Sequence, residues 1–126
     1  MFNPFSRYPQ LTLALLMCLA LPAGAGAPTE KRCGWFDNPS PGNISLWDRD
    51  GEWIIGVQGD YQIKGDWPWP KFPKSMWVSQ GSGSYGHGCV CMHVIADPSS
   101  HTIVLIDSVK PQPLTRCRKD RTLQEP

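Results

Sequence analysis

The chain has 126 residues, of which 18% are charged, carries a formal net charge of +1, and is rich in glycine (12), proline (13) and cysteine (5). That length predicts one domain, and the charge balance excludes both a polyelectrolyte that stays unfolded and a dedicated nucleic-acid binder. What remains is a small, loop-rich globular protein whose odd cysteine count needs an explanation.

The first element in chain order is a targeting segment. Arg7 precedes the apolar run Leu11 to Leu21, and the small, helix-breaking stretch Pro22-Ala23-Gly24-Ala25-Gly26-Ala27 follows it. This is the layout of a secretory signal peptide, because the run has about half of the roughly 20 apolar residues that a membrane-spanning helix needs. Ala23 and Ala25 predict cleavage after Ala25, which gives a signal peptide over residues 1–25 and a single β domain over residues 26–126 with no stable membrane anchor. Cys18 lies inside the apolar run behind the bulky Met17, so it does not read as a lipoprotein cysteine and is discarded with the signal.

Four cysteines remain, Cys33, Cys89, Cys91 and Cys117. In an exported chain of this size they predict two disulfides, since a small core profits from covalent stapling in an oxidising compartment. A Cys89–Cys91 bridge would close too tight a ring. Cys33 and Cys117 therefore each reach one of the central pair, as 33–89 with 91–117 or as 33–91 with 89–117, and both chain ends are tied to one strand.

The apolar pattern after Cys33 has the period of strands. Ile44 to Trp47 and Glu52 to Gln58 flank Asp48-Arg49-Asp50-Gly51, which reads as a hairpin turn with a left-handed glycine. Shorter strands are expected at Tyr61 to Lys64 and Ser75 to Ser79, and the proline-rich Trp67 to Pro73 between them is extended and cannot join a central ladder. Gly81 to Gly88 reads as a loop. Gly88 to Ala96 alternates Cys89, Cys91, His93 and Ile95 against Val90, Met92, Val94 and Ala96, and the turn Asp97-Pro98-Ser99-Ser100 leads into a second β-branched run from His101 to Val109. No helix is predicted outside the signal. The fold class is all-β: a small single-domain barrel or curled antiparallel sheet of five or six short strands, stapled by disulfides.

All six tryptophans lie between residues 35 and 77. Trp35, Trp47, Trp53 and Trp77 are assigned to the core, each burying about 150 to 250 Å². Trp67 and Trp69, with Phe72, sit in a stretch too proline-rich for regular core strand and are assigned to a partner-binding surface together with Ser82 and Tyr85 of the glycine-rich loop. The partner class is an unidentified protein or glycan, with no nucleic acid, no cofactor and no metal. Two alternatives stand beside this binding module. Cys89, Cys91 and His93 on one strand face would suit a copper or zinc carrier if the thiols were free. Ser82-Gly83-Ser84-Tyr85 resembles the Ser-Gly-x-Tyr motif of periplasmic invertebrate-type lysozyme inhibitors, which implies an inhibitor or immunity-type protein against a cell-wall hydrolase.

Asp48, Asp50 and Glu52 lack the further ligands of a calcium loop and read as turn chemistry. With His87, His93 and His101 the only histidines and no G-x-S-x-G or H-E-x-x-H present, no catalytic residues are assigned and the chain is not read as an enzyme. Acidic residues concentrate between 37 and 66 and basic ones from Lys110 onward, an asymmetry that either neutralises itself across the fold or forms a basic docking patch.

Four segments, Arg32-Cys33-Gly34-Trp35-Phe36-Asp37-Asn38-Pro39-Ser40-Pro41-Gly42-Asn43, Leu46-Trp47-Asp48-Arg49-Asp50-Gly51-Glu52-Trp53, Tyr85-Gly86-His87-Gly88-Cys89-Val90-Cys91 and Arg116-Cys117-Arg118, together resemble the bacterial exported-protein family called domain of unknown function 4087. The resemblance runs over essentially the whole domain. It implies a small exported protein, periplasmic or secreted, and assigns no activity, cofactor or site.

Overall fold

A computed structural model of the protein describes residues 28–81 and 83–126, so the expected signal peptide and Ser82 lie outside the described residues. Six strands form, β1 (Glu30–Ser40), β2 (Asn43–Asp48), β3 (Gly51–Gly56), β4 (Trp77–Ser79), β5 (Gly86–Asp97) and β6 (Thr102–Gln112), with a 3-10 turn at Lys74–Met76 and a short helix α1 (Leu114–Lys119). β1, β5 and β6 are each 11 or 12 residues long.

The hairpins follow from their turns. Pro41-Gly42 joins β1 to β2 with Gly42 at φ 74°, and Arg49-Asp50 joins β2 to β3 with Gly51 at φ 105°, conformations that cost glycine little. Asp48 Oδ1 accepts the Asp50 amide at 2.8 Å, which is the local bond expected of an aspartate opening a turn. Between β5 and β6, His101 is the one described non-glycine residue with positive φ, at 53°. Its ring stacks on Trp53 at 4.2 Å, and its backbone carbonyl accepts the Ile54 amide at 2.8 Å, so tertiary contacts hold the left-handed geometry.

The sheet order is β1-β2-β3-β6-β5-β4, and β1 also pairs with β5, which curls the sheet into a ring. The ring is partly open: β3 and β6 meet through one parallel pair, Ile54 and Thr102. The spatial order β5-β1-β2-β3 is a Greek key, and a five-stranded, partly open Greek-key barrel is the plan of the OB fold. Inside the ring lie Phe36, Leu46, Trp53, Ile55, Val90, Met92, Val94, Ile103 and Ile106, all buried. Arg32, Asp48 and Trp53 close one end, with the guanidinium 4.0 Å over the Trp53 ring and 2.8 Å from Asp48 Oδ2, while Trp53 Nε1 donates to Asp48 Oδ1 at 3.0 Å.

On the outer face, Trp35 and Cys89 are covered by Cys117, Leu114 and Leu123 from the C-terminal segment. The disulfides are Cys33–Cys91 and Cys89–Cys117, which settles the connectivity. In the chain-entropy account they contribute roughly 4 and 3.5 kcal/mol.

Four expectations are corrected. Tyr61 to Lys64 forms no strand; only Gln62 bridges, to Gly56, while the Tyr61 hydroxyl donates to the Ile103 carbonyl at 2.8 Å. Ser75 to Ser79 divides into the 3-10 turn and the three-residue β4. Gly86 to Gly88 belongs to β5 and is buried, so the loop ends at Tyr85. The reason is packing: a Cβ on Gly88 would lie 2.6 Å from Phe72 Cε1 and 2.9 Å from the Met76 carbonyl oxygen, so the missing side chain is what lets the aromatic ring lie on the strand. Helix α1 was not anticipated, being only six residues long.

Gly88→Ala should therefore cost about 2 to 3 kcal/mol through overpacking. Gly59→Ala, where a Cβ meets nothing and only the φ of 78° resists, should cost about 1 kcal/mol. Denaturant midpoints of the two variants check the difference, and equal midpoints would remove the packing role assigned to Gly88.

Candidate functional site

The proline-rich connection Trp67 to Pro73 crosses beside the start of β5 and does not enter the sheet, because its prolines cannot donate to a ladder. Its aromatics pack on the barrel core beside β1 and the start of β5. Phe36, buried in the core, meets Trp69 edge-on at 5.5 Å, Phe72 at 6.0 Å and Trp77 at 6.4 Å, and Phe72 and Trp77 lie 4.9 Å apart. A groove of about 430 Å³ opens over this cluster, lined by Trp69, Pro70, Phe72, Lys74, Trp77, Ser79 and Ser84. Its walls are aromatic, and among the described residues its polar side chains are Lys74, Ser79 and Ser84, with no carboxylate in the lining.

The residues expected to meet a partner divide across this groove. Trp69 is 46% exposed and contributes its ring. Phe72 forms the floor, half-buried against the core. Trp67 also packs on the core while touching Trp69 at 4.9 Å, so it supports the groove and does not line it. Tyr85 is half-buried at the loop base, where its carbonyl accepts the Gln80 amide at 2.8 Å. Ser84 replaces it at the groove wall. Trp77, assigned to the core, is half-buried and lines the groove as well. Trp47 is a correction: it is 37% exposed, because on β2 it points away from the barrel interior that Leu46 and Asp48 face.

The metal alternative loses its ligands. Cys89 and Cys91 are both in disulfides, His93 is exposed two positions along, and Met92 faces the barrel core. Asp48 and Asp50 are taken by Arg32, at 2.8 and 3.1 Å, with Glu30 as its third acidic partner. The acidic turn is thus tied to β1 through one guanidinium, and in the basic tail Arg118 pairs with Glu125.

A second polar centre, which no motif indicated, lies on the outer face under the C-terminal segment. His87 is 5% exposed, and its Nε2 lies 3.0 Å from Glu125 Oε1. Arg118 grips the same carboxylate through Nη2 at 2.8 Å and Nε at 3.1 Å, a bidentate fork. These hydrogen bonds hold the Glu125 carboxyl down at about 2, with Arg118 the larger cause and His87 the next. Asp37 sits opposite His87 in the β1–β5 ladder. Burial pushes its carboxyl above the ordinary value, Glu52 adds to the rise and His87 opposes it. Trp35 stands edge-on to His87 at 5.3 Å, and Trp35 Nε1, Asp37 Oδ1 and His87 Nδ1 are buried with no hydrogen-bond partner among the described residues. Only the fold could reveal this group, since Glu125 comes from the far end of the chain.

A third concavity, of about 410 Å³, lies at the Arg32 end of the barrel and is lined by charged side chains of β1, the β2–β3 turn and the C-terminal segment together with the sulfur-bearing residue Cys33. Among the described residues no group of three or more His, Cys, Asp and Glu side chains is placed to hold a metal ion, and no helix is long and apolar enough to cross a membrane.

Residues 27–124 match the family described as Protein of unknown function (DUF4087), and the chain belongs to that family. No curated protein and no solved structure matches it.

The Glu125 clamp makes the tail sensitive to acid. A carboxyl whose folded value is about 2 against an ordinary 4.5 contributes its hold fully above pH 4.5 and loses it as the pH falls through about 2. Exchange of the Leu123 amide, which donates to Asp120, reads the tail's attachment. Glu125→Gln should lose at pH 7 the protection, measured against the intrinsic exchange rate at the same pH, that the unaltered chain loses only near pH 2. Equal protection in both at pH 7 would mean that the Cys117 bridge and Leu123 hold the tail unaided.

Proposed function

We propose that this member of the DUF4087 family is a small exported binding module, with the aromatic groove between Trp69, Phe72 and Trp77 as its ligand surface. The single observation that carries the reading is the arrangement of that groove. A large aromatic side chain stands 46% exposed over a concavity floored by rings that are themselves anchored on the barrel core. Exposed Trp faces in a preformed groove supply contact area with little entropy to lose, which is how sugar rings and proline-rich or other extended peptides are gripped. Ser79, Ser84 and Lys74 add hydroxyl donors and one positive charge, so a neutral or anionic protein segment or glycan fits better than a cation. Two disulfides support a location outside the cytoplasm, periplasmic or secreted.

The test separates the groove from the core. Trp69→Ala should abolish capture of a periplasmic protein or retention on an immobilised cell-wall glycan array, with the melting temperature within a few degrees of the parent. Trp67→Ala, which removes a ring packed on the core, should instead lower the melting temperature. Retained binding by a folded Trp69→Ala chain would overturn the assignment of the groove.

A further inference from the structure

The two disulfides occupy opposite environments. Cys89 and Cys117 are 1% and 2% exposed, enclosed with Trp35 beneath Leu114 and Leu123. Cys33 lies on the wall of the charged cleft, half-buried, and its bonded partner Cys91 is 5% exposed behind it. The cleft is lined by Lys31, Arg32, Arg49 and Arg116 and equally by Glu30, Asp48, Asp50 and Asp120; Arg32 holds the first three acids and Arg49 faces Asp120, while Arg116 has no salt bridge among the described residues. Arg116 donates from Nη1 to Gln112 at 2.7 Å, and its Nη2 points at Cys33 Sγ from 3.8 Å. A cation fixed beside a sulfur that can be approached from a cleft is the environment that stabilises a thiolate.

We propose that Cys33–Cys91 is a thiol–disulfide exchange centre, entered through the charged cleft at Cys33 and reduced by a dithiol partner of the Cys-x-x-Cys class, while Cys89–Cys117 is purely structural. The partner's thiolate attacks Cys33 Sγ, the Cys33–Cys91 bond breaks, and Cys91 leaves with the electron pair and takes a proton from solvent. The partner's second thiolate then attacks its own sulfur in the mixed disulfide, and Cys33 leaves as a thiolate beside Arg116. The partner ends as a disulfide and this chain as a dithiol, two electrons having passed between them. The Arg116 guanidinium beside the sulfur favours the approach of the attacking thiolate at Cys33. This centre is independent of the aromatic groove.

Stepwise dithiothreitol treatment of the native full chain, with alkylation and peptide mass mapping, reads the order in which the bridges open. Cys33–Cys91 should open at least tenfold faster than Cys89–Cys117, with the near-ultraviolet dichroism of the folded chain retained. Arg116→Gln should slow that first opening severalfold and Arg116→Lys should restore most of it, since charge and not packing is at stake. As a second readout, Cys91→Ser should form a mixed disulfide with oxidised glutathione at Cys33, and Cys33→Ser should not form one at the enclosed Cys91. Opening of Cys89–Cys117 first, loss of both bridges only on unfolding, or equal glutathione labelling of the two variants would each overturn the proposal.

Discussion

The structure depends on what is asked of β5. One side of this strand is paired along nearly its whole length by β1, and the other is shared end to end by β4 and then β6. Its inward residues Val90, Met92 and Val94 lie in the centre of the core, and its outward residues Cys89 and Cys91 carry both disulfides. A strand buried on both faces and paired on both edges has no freedom left, so the rest of the chain is organised by how it reaches β5. Short hairpins carry β1 to β2 and β3, one longer hairpin supplies β6, and the cysteines fasten β1 and α1 to the outer surface. The two bridges close loops spanning 58 and 28 residues, and their loss of chain entropy is on the scale of the whole net stability of a domain this small.

The aromatic groove follows from the same strand. β5 begins with Gly86-His87-Gly88, and at both glycines a side chain would strike a neighbour: Gly86 would meet the Val78 carbonyl and the Trp77 indole of β4, Gly88 the Phe72 ring of the covering segment. Glycine at position 88 is therefore the means by which a proline-rich segment, barred from the ladder, can lie close against β5. Between the two glycines His87 projects outward, away from the groove and toward Asp37, Trp35 and Glu125. One tripeptide thus seats the rings of the apolar groove on one face and carries a polar centre on the other.

The distinction between legible and hidden features has a physical basis. Hairpins whose signals are local could be read directly: Asp48-Arg49-Asp50-Gly51 carries its own turn chemistry, and the alternation from Cys89 to Ala96 matches the pleat. β1 gives no such alternation, because Gly34, Trp35 and Phe36 are consecutively buried, Phe36 in the core and Trp35 under α1. Gly86 to Gly88 resembles a loop because glycine is penalised in strands, yet here the penalty is outweighed by the aromatic packing it permits. The roles of the tryptophans were legible only in part. Whether Trp47 faces in or out depends on strand phase relative to a barrel that closes through β1 and β5, a contact between segments about sixty positions apart. The four cysteines were legible as two bridges to one strand, but which of Cys89 and Cys91 served which partner was decided by register, Cys33 standing opposite Cys91 in the ladder.

That register also explains why two bridges on one strand need not do the same work. Cys33 and Cys91 are already neighbours in a ladder of nine residue pairs, with Cα atoms 4.1 Å apart, so the hydrogen-bonded β1–β5 pairing still holds the two sulfurs together once the bond is open. Cys117 has no ladder. Its short helix is joined to the barrel through Cys89, a sulfur contact to the Gly34 carbonyl at 3.3 Å and a few apolar side chains, and beyond it the tail depends on Glu125. Opening the enclosed bridge would free the lid over Trp35, whereas opening the one in the cleft leaves strand pairing, barrel core and aromatic groove in place. Of the two, only Cys33–Cys91 can be cycled without unmaking the scaffold around it.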